Sequence, residues 1–257
     1  MSTFKMLSST QAELLNASVR ERDKIGEQLR FVFDKLIDSA GVTKAVEVGA
    51  YEASFSKRFK RRHPEMTSIA YEANPYVYNR FKDRLLQLEV DYRFLCVGPK
   101  KGKLTISVPR DFRGTKRTPD NQMASMLSNL QTEESEQIEV DCVRLDDDIS
   151  LSNDDCIALW IDVEGATSMV LGAAEKALKR TAVILIEVES RPIWEGQWLD
   201  EDVNRFLESK GFFPVLRDVQ RIHQYNFIYV NPDMVDADSH MNLFNRYLMG
   251  THIFNTD

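Results

Sequence analysis

The chain has 257 residues and a mass of 29.6 kDa, enough for one large domain or two small domains with a full hydrophobic core. Its 43% hydrophobic and 28% charged residues are typical of globular proteins and exclude a disordered or collagen-like chain. The 40 acidic and 33 basic residues leave a net charge of −7, so we expect no nucleic-acid partner. The three cysteines lack zinc-ligand spacing and cannot all pair in disulfides, which predicts a cytoplasmic protein without a metal site. No apolar run approaches the ~20 residues that span a bilayer, and the N-terminus lacks a signal-peptide pattern, so no membrane association is expected.

The N-terminal part of the sequence predicts one amphipathic helix over residues 11–39, because its apolar residues recur with helical spacing and Gly41 follows as a stop. We expect this helix to pack against the rest of the fold. An alternative is that it forms a lid over a ligand.

Short apolar strands alternate with helices from residue 44 onward, which predicts a parallel sheet with crossover helices. Residues 99–157 interrupt this alternation with two strand-like segments around a polar loop. We interpret them as an insertion on the substrate side, because loops carry chemistry on a rigid scaffold. The predicted strands are 44–50, 67–75, 91–98, 157–165, 182–190, 212–218 and 224–232, and the predicted helices are 52–64, 76–88, 167–180 and 199–211. The predicted fold is therefore α/β, a Rossmann-like, doubly wound, seven-stranded, mostly parallel sheet with an antiparallel C-terminal strand pair.

The first strand ends in an acidic residue and a glycine, Glu47 and Gly49, followed by Ala50 and Tyr51 at the start of a helix. In a doubly wound fold this turn binds a nucleotide-like ligand. Only the first glycine of a G-x-G-x-x-G fingerprint is present, and the bulky Tyr51 and acidic Glu52 oppose the close approach of a pyrophosphate. S-adenosylmethionine has no phosphate, and its two cationic groups are favoured by an acid such as Glu47. The motif favours S-adenosylmethionine over NAD; an ordinary strand–helix turn is the alternative.

The second strand ends in Glu72, followed by Ala73 and Asn74. Glu72 follows Glu47 at close to the ~20-residue separation at which an acidic residue accepts hydrogen bonds from ribose hydroxyls. A carboxylate suits this role because it offers several lone pairs to two hydroxyl groups. A surface glutamate is the alternative. With Cys96 on the third strand, these residues complete the predicted cofactor site.

Two acids, Asp162 and Glu164, follow the fourth strand, at the sheet edge where open α/β sheets bind ligands. They share strand parity, so both could face one ligand if the strand continues that far. One of them could orient a substrate hydroxyl or act as its general base, and Asp162 could also contact the cofactor. The alternative is that they stabilise the start of the next helix. His223, just before the last strand, is a further candidate base.

These segments together resemble the FkbM-type methyltransferases, a family of S-adenosylmethionine-dependent O-methyltransferases, over residues 42–232. VEVGAYEASFSKRF and YEANPYVYNRF are similar to the family's cofactor and ribose segments, and WIDVEGATSMVLGAAEKAL is the most specific stretch. Family members commonly have an aspartate and a second glycine where this chain has Glu47 and Ala53. The resemblance divides the chain into an N-terminal helical extension, a methyltransferase domain containing the insertion 99–157, and a C-terminal tail: 1–41, 42–232 and 233–257.

The resemblance implies methyl transfer from S-adenosylmethionine to a hydroxyl of a small-molecule or sugar-like acceptor. A non-catalytic S-adenosylmethionine-binding module is the alternative that the altered first loop would support, and a nicotinamide-dependent oxidoreductase is less favoured. A basic stretch in the insertion would favour an anionic acceptor if it borders the site; a solvated loop is the alternative. The stretch comprises Arg110, Arg113, Lys116 and Arg117. The sequence leaves the oligomeric state open.

Overall fold

The computed structural model describes residues 18–248. The predicted N-terminal helix is present from Val19 to Ala40, and its expected start at 11–17 lies outside the described residues. The helices are α1 Val19–Ala40, α2 Ser54–Arg62, α3 Pro75–Gln87, α4 Leu145–Asp148, α5 Thr167–Gly172, α6 Glu175–Leu178, α7 Asp200–Ser209 and α8 Met241–Leu248, with a 3-10 turn at Asp238–His240. The strands are β1 Lys44–Val48, β2 Thr67–Glu72, β3 Asp91–Phe94, β4 Cys96–Val97, β5 Gly102–Pro109, β6 Asp111–Phe112, β7 Thr115–Lys116, β8 Ser135–Val143, β9 Ile157–Ile161, β10 Thr181–Glu189, β11 Phe213–Arg217 and β12 Gln224–Val230.

Seven strands form the central sheet in the order β11-β12-β10-β9-β1-β2-β3. All neighbouring strands run parallel except β12, which is antiparallel to both β10 and β11. The predicted fold class is therefore confirmed. The chain runs outward from β1 to β3, then returns to the other side of β1 to form β9 and β10. This reversal creates a topological switch point between β1 and β9, where ligands bind in open α/β sheets.

Helices cover both faces of the sheet. On one face, α5, α6 and α7 pack their apolar residues against a cluster that includes Val46 and Leu159. On the other face, α1, α2 and α8 pack against a cluster that includes Ala45 and Trp160. Neighbouring residues of one strand point to opposite faces, so β1, β9, β10 and β12 contribute to both clusters.

Local signals fix the ends of α1. Ser18 and Glu21 form a reciprocal capping box at its start, and Gly41 ends it with a left-handed φ of 62°. The helix runs antiparallel to β1, so its N-terminal half reaches the edge of the sheet where the strands end.

The insertion forms a separate three-stranded sheet in the order β4-β8-β5. The predicted third strand, 91–98, is divided: its first part, β3, joins the central sheet, and Cys96–Val97 joins the small one. The predicted polar loop contains the short hairpin formed by β6 and β7.

The single helix predicted at 167–180 is instead two short helices, α5 and α6. Asp146 explains the interruption. Its backbone N–H donates to the carbonyl of Ala173, and its carboxylate accepts from the amides of Lys176 and Ala177, both at 2.9 Å. These contacts provide partners for a carbonyl at the end of α5 and for two amides at the start of α6, which a continuous helix would pair internally. Over residues 18–248, no helix is both long and apolar enough to cross a bilayer.

Candidate active site

A cavity of about 320 Å³ lies at the carboxyl ends of β1, β2, β9 and β10. It spans the switch point between β1 and β9 and extends under the insertion on one side and under α1 and the β11–β12 hairpin on the other. Its lining includes Arg30, Val48, Gly49, Tyr51, Tyr71, Glu72, Ala73, Leu95, Cys96, Val97, Ile106, Asn121, Gln122, Ala124, Ser125, Met126, Trp160, Asp162, Val163, Glu164, Ala166, Glu187, Gln220, Arg221 and Gln224.

The turn after β1 approaches the end of β9 closely. Gly49 has a φ of +78°, and a Cβ placed there would lie 1.7 Å from the carbonyl oxygen of Asp162. The amide of Asp162 in turn donates to the carbonyl of Val48 at 2.9 Å. Only glycine fits this position, because any side chain would overlap the neighbouring backbone. The first glycine of the predicted motif therefore holds two turns of the site together.

The same turn contains two non-glycine residues with left-handed backbone. Tyr51 and Ala53 have φ values of 47° and 52°. Ala53 therefore adopts a backbone conformation that favours glycine. That conformation costs roughly 1–2 kcal/mol for a residue with a Cβ.

Glu72 connects the β1–α2 turn to the β2–α3 turn. One carboxylate oxygen accepts from the amide of Tyr51 at 2.8 Å, and the other accepts from the amide of Asn74 at 2.7 Å. The residue is only 7% exposed, so the alternative of a surface glutamate is wrong. Burial raises the pKa of Glu72 to about 7, against the opposing effect of the amide bonds.

The Glu72 carboxylate has acceptor positions that suit the ribose hydroxyls of S-adenosylmethionine. A carboxylate has about four acceptor positions, and the two backbone amides occupy two of them. Since Glu72 also lines the cavity, the remaining positions are available to a pair of hydroxyl groups. A pyrophosphate would find no comparable donor here.

The end of the cavity at β9 and β10 is strongly acidic. Carboxylate oxygens of Asp162, Glu164 and Glu187 all lie within 4.8 Å of one another. Burial raises the pKa of Asp162 to about 6, with a hydrogen bond from Glu187 acting in the opposite direction. Burial and then the charge of Asp162 raise the pKa of Glu164 and of Glu187, and Glu189 beside them reaches about 7. Ionisation of these carboxyl groups is therefore less favourable than that of exposed ones.

The neighbours of this cluster hold its members in place. Gln224 donates to Glu187 at 2.8 Å, and Gln197 donates to Glu189 at 3.0 Å.

The strand β9 ends at Ile161 and does not continue to Glu164, so the two acids do not share one face of a strand. Glu164 instead lies in a left-handed turn with a φ of 47°. Neither Asp162 nor Glu164 caps the next helix, since the N-cap residue of α5 is Ala166. Three carboxylates this close could also bind a divalent cation.

The family model for the FkbM methyltransferase domain matches residues 47–214. The chain belongs to the FkbM methyltransferase family. S-adenosylmethionine is the methyl donor of this family, so the predicted cofactor is confirmed.

A curated relative of this FkbM chain is the 2-O-methyltransferase NoeI of Sinorhizobium fredii, 26% identical over 163 residues. The match covers 59% of this chain and 65% of NoeI, so it spans somewhat less than two thirds of the relative. A methyltransferase FkbM from Methylobacillus flagellatus KT is 14% identical, with a TM-score of 0.44 over 72% of this chain and 43% of the other. Magnesium protoporphyrin IX methyltransferase from Synechocystis PCC 6803, solved with bound S-adenosylmethionine, is 8% identical, with a TM-score of 0.44 over 89% and 90% of the two chains.

The FkbM domain brings most of the predicted site residues to one cavity. The predicted residues that line it are Gly49, Tyr51, Glu72, Ala73, Cys96, Asp162 and Glu164. Glu47 is buried beneath the turn, and its carboxylate accepts from the amides of Phe55 and Ser56 at the start of α2. Asn74 caps α3 through Tyr76 and donates to the carbonyl of Pro119 in the insertion.

Two other predicted site residues also lie outside the cavity lining. Ala50 is buried in a small apolar cluster, and His223 contacts the hydroxyl of Ser190 at 3.2 Å. The basic stretch of the insertion does not line the cavity either: Arg110 pairs with Glu136, and Lys116 with Glu134.

Several lining residues, among them Glu187, were not predicted. Glu187 and its neighbour Glu189, which lies outside the lining, alternate with apolar residues in the sequence ILIEVE, and this alternation indicates two acids on one face of β10. Arg30 and Arg221 come from α1 and the β11–β12 hairpin, which are distant in sequence from every motif. No local spacing identifies them.

Proposed function

We propose that this protein transfers the methyl group of S-adenosylmethionine to a hydroxyl oxygen of a small-molecule or sugar-like acceptor. The observation that carries the proposal is the position of Asp162. Its carboxyl group has a pKa raised to about 6 and lines the same cavity as the ribose-binding candidate Glu72. A proton acceptor beside the donor site is what transfer to a hydroxyl requires, because a hydroxyl is a weak nucleophile at neutral pH.

In this proposal the residues after β1 and β2 bind the donor. Glu72 accepts hydrogen bonds from the ribose hydroxyls, and the turn held by Gly49 provides backbone groups around the remainder of the molecule. S-adenosylmethionine supplies an activated methyl group, so the protein contributes mainly alignment and proton transfer. Ala73 and Cys96 line the same part of the cavity and limit its width.

Asp162 accepts the proton of the acceptor hydroxyl as the oxygen bonds to the methyl carbon and the carbon–sulfur bond breaks. A pKa near 6 suits this role, since the carboxylate is largely ionised at pH 7 yet more basic than an ordinary aspartate. Glu187 donates a hydrogen bond to Asp162 and so stabilises its ionised carboxylate within the same cluster.

A sugar-like acceptor is supported by the side-chain amides of the cavity. Gln122, Gln220 and Gln224 contribute to the lining, and amides both donate to and accept from hydroxyl groups. The side-chain amide of Asn121, also in the lining, is bonded within the insertion. The relative NoeI is described as a 2-O-methyltransferase, which is consistent with an oxygen acceptor.

The test measures formation of S-adenosylhomocysteine with a panel of hydroxylated acceptors and identifies methylated products by mass spectrometry. We expect a methyl ether product and a turnover that Asp162→Asn greatly lowers. Tight binding of S-adenosylhomocysteine without transfer to any acceptor would instead support the non-catalytic binding module. Absence of binding below millimolar concentration would contradict both.

A further inference from the structure

Two arginine side chains line the cavity without a partner. Within residues 18–248, the guanidinium groups of Arg30 and Arg221 make no hydrogen bond or ion pair. Arg30 is half-buried on α1, and Arg221 is exposed in the β11–β12 hairpin. For Arg30, partial removal from water without an acceptor is costly, so this group is suited to a charged ligand, and Arg221 adds a second positive charge to the same lining.

Among the described residues, Asp218 attracts Arg30 as an opposite charge but forms no ion pair with it. Gly26 lets α1 approach Asp218 closely: a Cβ at Gly26 would lie 3.4 Å from both the Asp218 carboxylate and the Arg30 guanidinium. The Asp218 carboxylate already accepts from the backbone amide of Asn226 at 2.7 Å and from its side-chain amide at 2.9 Å. Arg58 acts on Arg30 as a like charge, while Asp218, Glu27 and Asp23 attract it without a hydrogen bond in the described chain. The Arg30 guanidinium is therefore able to donate to a ligand in the cavity.

From these observations we infer that the acceptor carries an anionic group, a carboxylate or a phosphate, that is bound by Arg30 and Arg221. This inference rests on the proposed function and names the class of its substrate. The arginines come from α1 and the hairpin, on the side of the cavity away from Glu72 and the cofactor turn. The hydroxyl would then lie toward Asp162 and the anionic group toward the arginines.

The acidic cluster does not prevent the binding of an anion. Burial raises the pKa of Glu164 and of Glu187, which disfavours their ionised forms and lessens the negative charge that an anion meets. Arg221 also favours the ionised form of Glu164, which gives the arginine a second possible role as a counter-charge within the site. The two roles differ in what they predict, because only ligand binding makes the arginines discriminate between charged and neutral acceptors.

The experiment measures binding of D-glucuronate, D-glucose 1-phosphate and neutral D-glucose to the full chain saturated with S-adenosylhomocysteine. We expect at least one of the two anions to bind on the order of tenfold more tightly than glucose, as charge-assisted hydrogen bonds imply. Preference for glucuronate would identify a carboxylate, and preference for the phosphate ester a phosphate. The preference should shrink as salt is added.

Variants separate the arginines from general effects of charge. The double variant Arg30→Gln with Arg221→Gln should lose the preference, and the double Lys variant, which keeps both charges, should retain most of it. Arg205→Gln is the matched control, since Arg205 is 74% exposed on α7 and outside the cavity lining. Melting temperature and S-adenosylhomocysteine affinity are measured for each variant.

Equal affinity for anionic and neutral sugars in the natural chain, or an unchanged preference in the double Gln variant, would overturn the inference. Either result with normal S-adenosylhomocysteine binding would leave the proposed methyl transfer intact. Failure of the natural chain to bind S-adenosylhomocysteine would instead refute the proposed function itself.

Discussion

Replacing Glu72 by glutamine should separate cofactor binding from folding. The charged carboxylate is proposed to accept two ribose hydroxyls, and glutamine offers one oxygen and an NH2 group in its place. Hydrogen bonds to a charged group contribute roughly 1.5–3 kcal/mol, so we expect Glu72→Gln to weaken S-adenosylhomocysteine binding by about 10-fold to 100-fold.

The stability of the same variant should change little, because two effects oppose each other. A pKa raised from 4.5 to about 7 means that ionising Glu72 in the folded protein costs on the order of 3 kcal/mol, which an uncharged side chain avoids. Against this, one of the two backbone amides at Tyr51 and Asn74 loses its oxygen acceptor, at a cost of about 1–3 kcal/mol. Glu72→Ala removes both acceptors, so it should lower stability as well as affinity.

The assay combines titration calorimetry at pH 8, where the carboxylate is ionised, with urea unfolding of each variant. Glu52→Gln is the matched control: Glu52 lies in the same turn, pairs with Lys57 and does not line the cavity. Normal affinity in Glu72→Gln would refute the ribose assignment. A large loss of stability in Glu72→Gln would instead show that the amide contacts outweigh the cost of the buried charge.

Three further outcomes follow from the described contacts. Asp162→Asn should lower turnover about 10²–10⁴-fold with little change in cofactor affinity, measured by product formation and calorimetry; near-normal turnover would remove Asp162 as the base. Ala53→Gly should leave the free energy of unfolding equal or up to about 1 kcal/mol higher, since relief of roughly 1–2 kcal/mol of left-handed strain exceeds the ~0.8 kcal/mol lost with one buried methyl group; a clear loss of stability in urea unfolding would contradict this. The pKa of Glu47 and of Glu189 rises from 4.5 to about 7 on folding, so the folded state binds more protons between those values and the free energy of unfolding should fall as pH rises from 4.5 to 7. Thermal melting at each pH measures this change, and a rise in stability over that range would show that the titration of other groups dominates.

The fold could be predicted from the sequence because each element of the central sheet carries a local signal. Continuous apolar runs such as AVILI identify buried parallel strands, and the helices between them end at glycine or begin with capping residues. The error at 167–180 has a different origin. Its sequence is helical throughout, and only a side chain from another part of the chain, Asp146, divides it.

The cofactor half of the candidate site was also accessible to sequence reasoning. Gly49 and Glu72 follow consecutive strands, and parallel strands bring their carboxyl ends to one edge. The motifs identify Gly49 and the acidic residues of these turns, but they do not distinguish what each side chain contacts. Glu47 and Asn74 lie beside the turn, where hydrogen bonds to backbone groups occupy them.

The acceptor half could not be predicted in the same way, because its residues are brought together only by the order of the strands. β10 lies beside β9 although a helical segment separates them in sequence, and this adjacency places Glu187 within 4.8 Å of Asp162 and Glu164. Arg30 reaches the same cavity because α1 runs back along the sheet. The topology therefore carries information that no single motif contains.

Hydrogen bonding divides the acids at this edge into two groups. Both oxygens of Glu47 and of Glu72 accept from backbone amides, so these residues fix the shapes of two turns. Asp162 has no backbone-amide donor to its carboxylate among the contacts of the described chain, and its side-chain partner Glu187 is itself an acid. The amide bonds fix the orientation of Glu47 and Glu72, although burial raises the pKa of both to about 7, whereas the carboxyl group of Asp162 lines the cavity without a backbone tie. This difference favours Asp162 over the other motif acids as the proton acceptor, and it predicts that substitution of Glu47 will alter folding more than the chemistry.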